Sequence, residues 1–307
     1  MRRRLAIPLI AAVGAAPWLW FYPDPAPDGL PAQLSAIVDV PDAGDWLGGL
    51  SGLDLTADGQ TFHAVTDRGQ RATGRLIRDD GRLVSLEITD HQPLTDRFGE
   101  VRKFPFTDAE GVALDESGKV FVSFEHAHRV LLYDRWDAAA RWPSYTRAWR
   151  ALSNNKGLEA LAVAPDGTLY AIPEEINLGA WEALVYRKRR GEGWTQAFTL
   201  PVDSEFAPVG ADFGPDGRFY VLERGFFPFG FFSRVRSMTV SDQGFADIVT
   251  VLHTGLFDHG NLEGLAVWRD EVQDIRLTMV SDDNFYPFMR GQIVEYVLPH
   301  GLAKDTE

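Results

Sequence analysis

Carboxylates recur at two fixed places in a short motif that the chain repeats five times. Just before an aligned glycine or alanine stand Ser51, Glu110, Glu159, Val209 and Glu263. At the close of the motif stand Asp67-Arg68, Glu125-His126, Glu174-Glu175, Glu223-Arg224 and Asp282-Asp283-Asn284. Carboxylates brought together repel and raise one another's pKa unless a cation compensates. Oxygen ligands from several loops, with Asn284 among them, suit Ca²⁺, which takes six to eight oxygens. Arg68, Arg224 and Lys156 offer the other compensation, or a bidentate clamp for an anionic group. A metal beside basic residues and a free carboxylate suits phosphate esters: the metal polarises the phosphoryl oxygen or activates water, and the carboxylate acts as general base. The plainer alternative is that acids at strand ends are solvated, and that a Glu before Gly caps a loop through backbone amides. Three of five copies share the first Glu and all five end on an acid, which favours function.

The elements that must hold these residues follow from the repeat. Its copies are LSGLDLTADGQTFHAVTDRG from Leu50, DAEGVALDESGKVFVSFEH from Asp108, GLEALAVAPDGTLYAIPEE from Gly157, VGADFGPDGRFYVLERG from Val209 and LEGLAVWRDEVQDIRLTMVSDDN from Leu262. Each is an apolar strand, a turn and a second strand. Asp58-Gly59, Asp166-Gly167 and Asp216-Gly217 are hairpin turns, because glycine takes positive φ readily. The fifth copy is expected to replace the turn with a longer polar loop. Aligned on Gly52, Gly111, Ala160, Gly210 and Gly264, the copies lie 59, 49, 50 and 54 residues apart, room for two more strands each. Four strands in about 50 residues is a propeller blade. The last copy supplies three strands, and Gln33–Val40 is expected to close the ring as its outer strand, removing a free edge. The expectation is an all-β fold, a β-propeller of five four-stranded blades. A sixth blade hidden between residues 52 and 111, or a linear β-sandwich, is the alternative. In a propeller the first strand is innermost, and an antiparallel partner ends beside its start. The acids therefore gather on one rim of the central channel.

With 45% hydrophobic residues in 307, the chain can bury a large core. A net charge of −14 argues against a phosphate-backbone partner, and nucleic acid is not expected. The absence of cysteine excludes disulfides, thiol catalysis and thiolate-held metals. Arg2, Arg3 and Arg4 precede an apolar stretch from Leu5 to Phe21 and a Pro/Asp-rich segment to Pro31. This is a secretory signal or an uncleaved membrane anchor over residues 1–31, ahead of one propeller domain at 32–307. The expected location is periplasmic or secreted, with inner-membrane anchoring through residues 5–21 if the segment is retained. A monomer is expected.

The segments SGLDLTADGQTFHAVTDRG, DAEGVALDESGKVFVSFEHAHRVLLYD, NKGLEALAVAPDGTLYAIPEE and NLEGLAVW with VSDDN resemble the phytase-like family of bacterial exported propellers, described as having esterase-like activity. The resemblance spans Leu47 to Leu298 and rests on the order of the motifs more than on any one of them. It implies hydrolysis of phosphate or related esters through Glu, Asp and Asn residues. By position it implies Glu110, Glu159, Glu263 and Arg68 as catalytic candidates, to which the anion-clamp reading adds Arg224. Asp67, Glu125, Glu174, Glu223, Asp282 and Asn284 are then the metal ligands, with Ca²⁺ as cofactor and a small anionic ester as substrate. Val209 departs from the pattern, although Asp212 follows three residues on. A non-catalytic periplasmic ligand-binding or scaffold propeller, and a calcium-dependent lactonase, are the alternatives. No Gly-rich phosphate loop and no G-x-S-x-G elbow is present. His126 and His128 are expected on one side of a strand, as a surface pair rather than a metal site. The cluster Phe226–Phe232 is expected to line the channel mouth, to meet an apolar ligand or membrane, or to pack a long loop.

Overall fold

A computed structural model describes residues 27, 29–41, 44, 46–177, 181–203, 206–227, 230–286 and 289–300. The expected signal or anchor segment falls almost wholly within residues 1–26, outside the described residues. Among the described residues no helix is long and apolar enough to cross a membrane.

Five antiparallel sheets form the blades of a propeller. Strand β1 (Gln33–Asp39) is set aside by the chain for the last of them. The first blade is β2 (Leu50–Leu55), β3 (Thr61–Thr66), β4 (Gln70–Asp79) and β5 (Arg82–Pro93). The second is β6 (Ala109–Leu114), β7 (Val120–Phe124) and β8 (Arg129–Tyr133). The third is β9 (Leu158–Val163), β10 (Leu169–Pro173), β12 (Glu182–Lys188) and β13 (Thr195–Pro201), with the two-residue β11 (Ile176–Asn177) alongside. The fourth is β14 (Phe206–Phe213), β15 (Phe219–Phe227), β16 (Gly230–Ser241) and β17 (Gly244–His253). The fifth is β18 (Asn261–Arg269), β19 (Ile275–Asp282) and β20 (Gln292–Leu298), completed by β1. The N-terminal strand closes the ring as the sequence implied, Gln33 opposite Val297 and Asp39 opposite Gln292. The long interval from 52 to 111 holds the extended β4 and β5 and a loop, not a sixth blade.

Two local features depart from the repeat. In the second blade the fourth position is filled by a single bridge between Val130 and Ser144 and by a 3-10 turn, Arg147–Ala151, whose Trp149 is buried between blades. In the fifth copy the turn is not a longer loop. Asp270–Asp274 has the same five-residue length as 56–60, 115–119, 164–168 and 214–218. It also makes the same bond, Gln273 N–H to Asp270 carbonyl at 3.0 Å, as Gly118 makes to Asp115 at 2.9 Å. Gln273 sits at φ +73°, where the other copies place glycine. A non-glycine residue there is unusual, and the sequence therefore hides the turn.

The core lies between blades, not within them. Around the axis, β2, β6, β9, β14 and β18 stand side by side, and glycine lets them approach. A Cβ on Gly52 would lie 2.4 Å from the Glu110 carbonyl oxygen, and one on Gly111 2.6 Å from that of Glu159. Buried Asp54 takes the N–H of Leu114 on the next inner strand at 2.6 Å, and Asp212 takes that of Val267 at 2.6 Å. Each carboxylate staples two blades. The axis keeps a cavity of only about 10 Å³, room for one water at most. It is not a pore, so a ligand must sit on the rim.

Candidate active site

Each inner strand carries a β-bulge at the residue before its aligned glycine or alanine. Leu158 pairs with Pro173 and Ala160 with Ile172, which leaves Glu159 without a partner. Ser51, Val209 and Glu263 are skipped in the same way. In the second blade the shift spans Glu110 and Gly111. A bulge breaks the strict alternation of a strand and re-aims one side chain, and here it turns the acid toward the axis end.

On the partner strand, Thr66, Phe124, Pro173, Glu223 and Ser281 stand opposite the residue just before the bulge. The residues that follow them are Asp67, Glu125, Glu174, Arg224 and Asp282. In the fourth blade, then, the equivalent position is Arg224. Glu223 points to the other side of the sheet. It is fully buried, its Oε2 accepting from Arg234 Nε at 2.6 Å and from Arg236 Nε at 2.6 Å. Glu223 is not a rim ligand; it neutralises two buried arginines inside the blade. Asp212 likewise does not replace the missing Glu at Val209, since it serves as the inter-blade staple.

The remaining residues divide into two halves. In one half, Arg224 donates to Glu174 Oε1 at 2.7 Å, to Asn261 Oδ1 at 2.7 Å and to Glu263. Asn261 Nδ2 reaches Glu263 Oε1 at 2.8 Å and Asn284 Oδ1 at 3.5 Å. Burial works against the Arg224 charge, but Glu263 and Glu174 outweigh it and its pKa rises. Asp282 accepts from the Asn284 N–H at 2.8 Å. Burial, and then the charge of Glu263, pushes Asp282 up to about 8.

In the other half, Glu110, Glu125 and Glu159 each bring one carboxylate oxygen within 4.8 Å of the others, and all three are buried. Glu125 accepts the Gly157 N–H at 2.9 Å. No hydrogen bond or ion pair reaches the Glu110 and Glu159 carboxylates among the described residues. Burial first, then neighbouring carboxylates (Glu263 foremost for Glu110, Glu110 for Glu159), holds both well above the usual carboxylate range. Burial also pushes Glu125 up to about 7. Asp67, across the rim, is raised to about 7 by burial and by Asp108. Arg68 lies with its guanidinium 3.4 Å from the centre of the Phe285 ring and in no ion pair among the described residues.

The sequence did not single out Asp108 or Asn261, and it set His126 aside as one of a surface pair. His126 Nδ1 lies 2.7 Å from Asp108 and 3.5 Å from Glu125. His126 and His128 lie in the turn between β7 and β8 and are partly buried, not a surface pair on a strand. His126 takes φ +50°. Asp108 and Asn261 each precede a rim Glu by two residues, the one pattern that pointed to them. Phe226 and Phe231 pair at the tip of the β15–β16 hairpin, with Phe226 exposed, while Phe232 is buried against Phe206.

Comparison with curated protein sequences finds no match. Among solved structures, a luciferin-regenerating enzyme is 12% identical, covers 87% of this chain and 96% of its own, and superposes with a TM-score of 0.42. A candidate gluconolactonase is 14% identical, covers 89% of this chain and 96% of its own, and gives 0.43. Neither likeness is close enough to bear on chemistry. A family model described as phytase-like, esterase-like activity of phytase, matches residues 45–285, and the chain belongs to that family.

Proposed function

We propose that this chain is an exported, metal-dependent hydrolase of phosphate esters. The observation that carries the reading is the convergence of Glu110, Glu125 and Glu159 within 4.8 Å. No Lys or Arg among the described residues pairs with any of the three. The other half of the ring has its own cation in Arg224. An oxygen-only donor set of this kind fits Ca²⁺. A bound cation would supply charge to polarise a phosphoryl oxygen.

The chain's own residues do the rest. Arg68 lies over the Phe285 ring without a carboxylate partner among the described residues, which leaves its N–H groups for a non-bridging oxygen of the ester. Asp67 and Asp282, raised toward neutrality, can hold or take a proton near physiological pH, as a general acid or base must. Arg224 fixes Glu263 and Glu174 and keeps that side of the rim from repelling an anion. Because the axis cavity is too small for a substrate, the reaction is assigned to the open rim.

Purified protein stripped with EDTA and then given Ca²⁺ tests this on bis-p-nitrophenyl phosphate, p-nitrophenyl phosphate and p-nitrophenyl acetate. Calcium-dependent release from a phosphate ester, lost in Glu159→Gln, is expected. Release from the acetate alone would move the reaction to carboxylic esters. No release from any of the three would leave a binding protein.

A further inference from the structure

A second site adjoins the rim and has the opposite character. Between the first and second blades lies a cavity of about 260 Å³, lined by Arg97, Phe98, Arg102, Phe106, Arg129 and Tyr133 among others. The loop after β5 folds over the side of β8 here, Tyr133 donating its hydroxyl to the Thr95 carbonyl at 3.0 Å. The cavity wall includes Gly69 and Thr107, the neighbours in sequence of the rim residues Arg68 and Asp108. Phe104 touches His126 edge-on, ring centres 4.8 Å apart, and His126 reaches Asp108 and Glu125. Pocket and carboxylate cluster therefore share a border.

In a chain of net charge −14 this pocket is basic. Arg102 is matched by Asp96, which also lines the cavity, and by Glu100 at 3.9 Å, but Arg97 and Arg129 have no carboxylate within ion-pair range among the described residues. Arg97 lies between two rings, 3.4 Å from the centre of Trp142 and 3.9 Å from that of Phe98. Arg129 packs 4.0 Å from the centre of the Phe124 ring and, among the described residues, donates only to the carbonyls of Ala127 at 2.8 Å and Phe106 at 2.5 Å. Burial pushes its pKa down to about 10, as expected of a cation without a counter-charge. Volume and lining together define the ligand. An engineered cavity of about 150 Å³ holds benzene, so this one has room for a ring and one small charged group. The walls are aromatic and the uncompensated charge is positive.

We propose that this pocket binds a single aromatic ring carrying an oxyanion, an aryl carboxylate or aryl phosphate. The pocket stands as a binding site by itself. Only its service to the rim, as the seat of the ester's organic group, rests on the hydrolase reading.

Calorimetry in EDTA with benzoate, cyclohexanecarboxylate and benzylamine tests it on the whole chain. Benzoate is expected to bind at least about tenfold more tightly than either control. Arg129→Gln and the surface variant Arg97→Gln should each weaken benzoate about tenfold or more, the scale of one charge-assisted hydrogen bond. Equal affinity for the three compounds, or benzoate binding unchanged in both variants, overturns the proposal. So does binding of anionic phospholipid vesicles through Arg97 with no benzoate binding, which makes the exposed rings a membrane patch. Phenyl phosphate, offered to the protein reloaded with Ca²⁺, separates the two readings. Benzoate binding without its hydrolysis leaves the pocket and removes the hydrolase; its hydrolysis without benzoate binding does the reverse.

Discussion

Glu223 and Arg224 are neighbours in the chain and belong to different parts of the molecule. One step along β15 carries the side chain from one face of the blade to the other. Arg224 enters the rim and binds Glu174 and Glu263, while Glu223 is sealed between Arg234 and Arg236. The two positions should respond differently to substitution. Glu223→Gln leaves two buried guanidinium groups short of their carboxylate and is expected to cost about 3–5 kcal/mol, read as a lower urea midpoint at constant slope. Glu159→Gln removes a buried carboxylate whose main charged neighbours are the acids Glu110 and Glu174, with only a lesser attraction to Arg224. It should raise the melting temperature of metal-free protein at pH 8 while abolishing any Ca²⁺-induced rise. A Glu159→Gln protein that melts lower than the parent without metal, yet keeps the calcium response, contradicts the assignment.

At the scale of the element, the five inner bulges decide which residue faces the axis, and the four glycines and one alanine that follow them decide how closely the inner strands stand. Gly111→Ala would place a Cβ 2.6 Å from the Glu159 carbonyl oxygen. That oxygen is backbone and cannot step aside cheaply. The variant should unfold well below the parent, and calcium should not rescue it. The fifth turn makes the opposite case. Gln273 holds φ +73° with no glycine to ease it, so Gln273→Gly is expected to stabilise by about 0.5–1 kcal/mol, left-handed strain relieved less the entropy of glycine. A melting temperature unchanged or lowered would show that the turn is not strained.

For the whole molecule, the ring of acids links stability to pH. Asp67 and Glu125 are raised to about 7 and Asp282 to about 8, from unfolded values near 3.8 to 4.5. A raised folded pKa means that the folded state holds the proton more tightly. The associated stability is complete below about pH 4 and is lost as pH climbs through 7 to 8. Metal-free protein should therefore melt lower at pH 8 than at pH 5.5. A cation that binds the carboxylates takes the proton's place, so Ca²⁺ should recover the difference at pH 8 and do little at pH 5.5. Equal calcium shifts at both pH values would put the cation elsewhere.

The sequence by itself determined the ring: its repeat, its turn glycines, the strand held back for closure and the rim on which the acids gather. These follow from local chemistry, since strand period, hairpin turn and repeat length are properties of contiguous residues. It also identified Glu110, Glu125, Glu159, Glu174 and Glu263 as rim residues. Only the tertiary structure decided that Glu223 leaves the rim for Arg234 and Arg236, that Asp212 staples blades, and that Arg224 and the Glu110, Glu125 and Glu159 triad occupy separate halves. Bulges shift a strand's facing by one residue without a distinctive side chain. Charge pairing across 39 or 50 residues, as between Arg224 and Glu263 or Glu174, depends on which blades the closed ring makes neighbours. The carboxylates were therefore legible as a group, and their partners only in three dimensions.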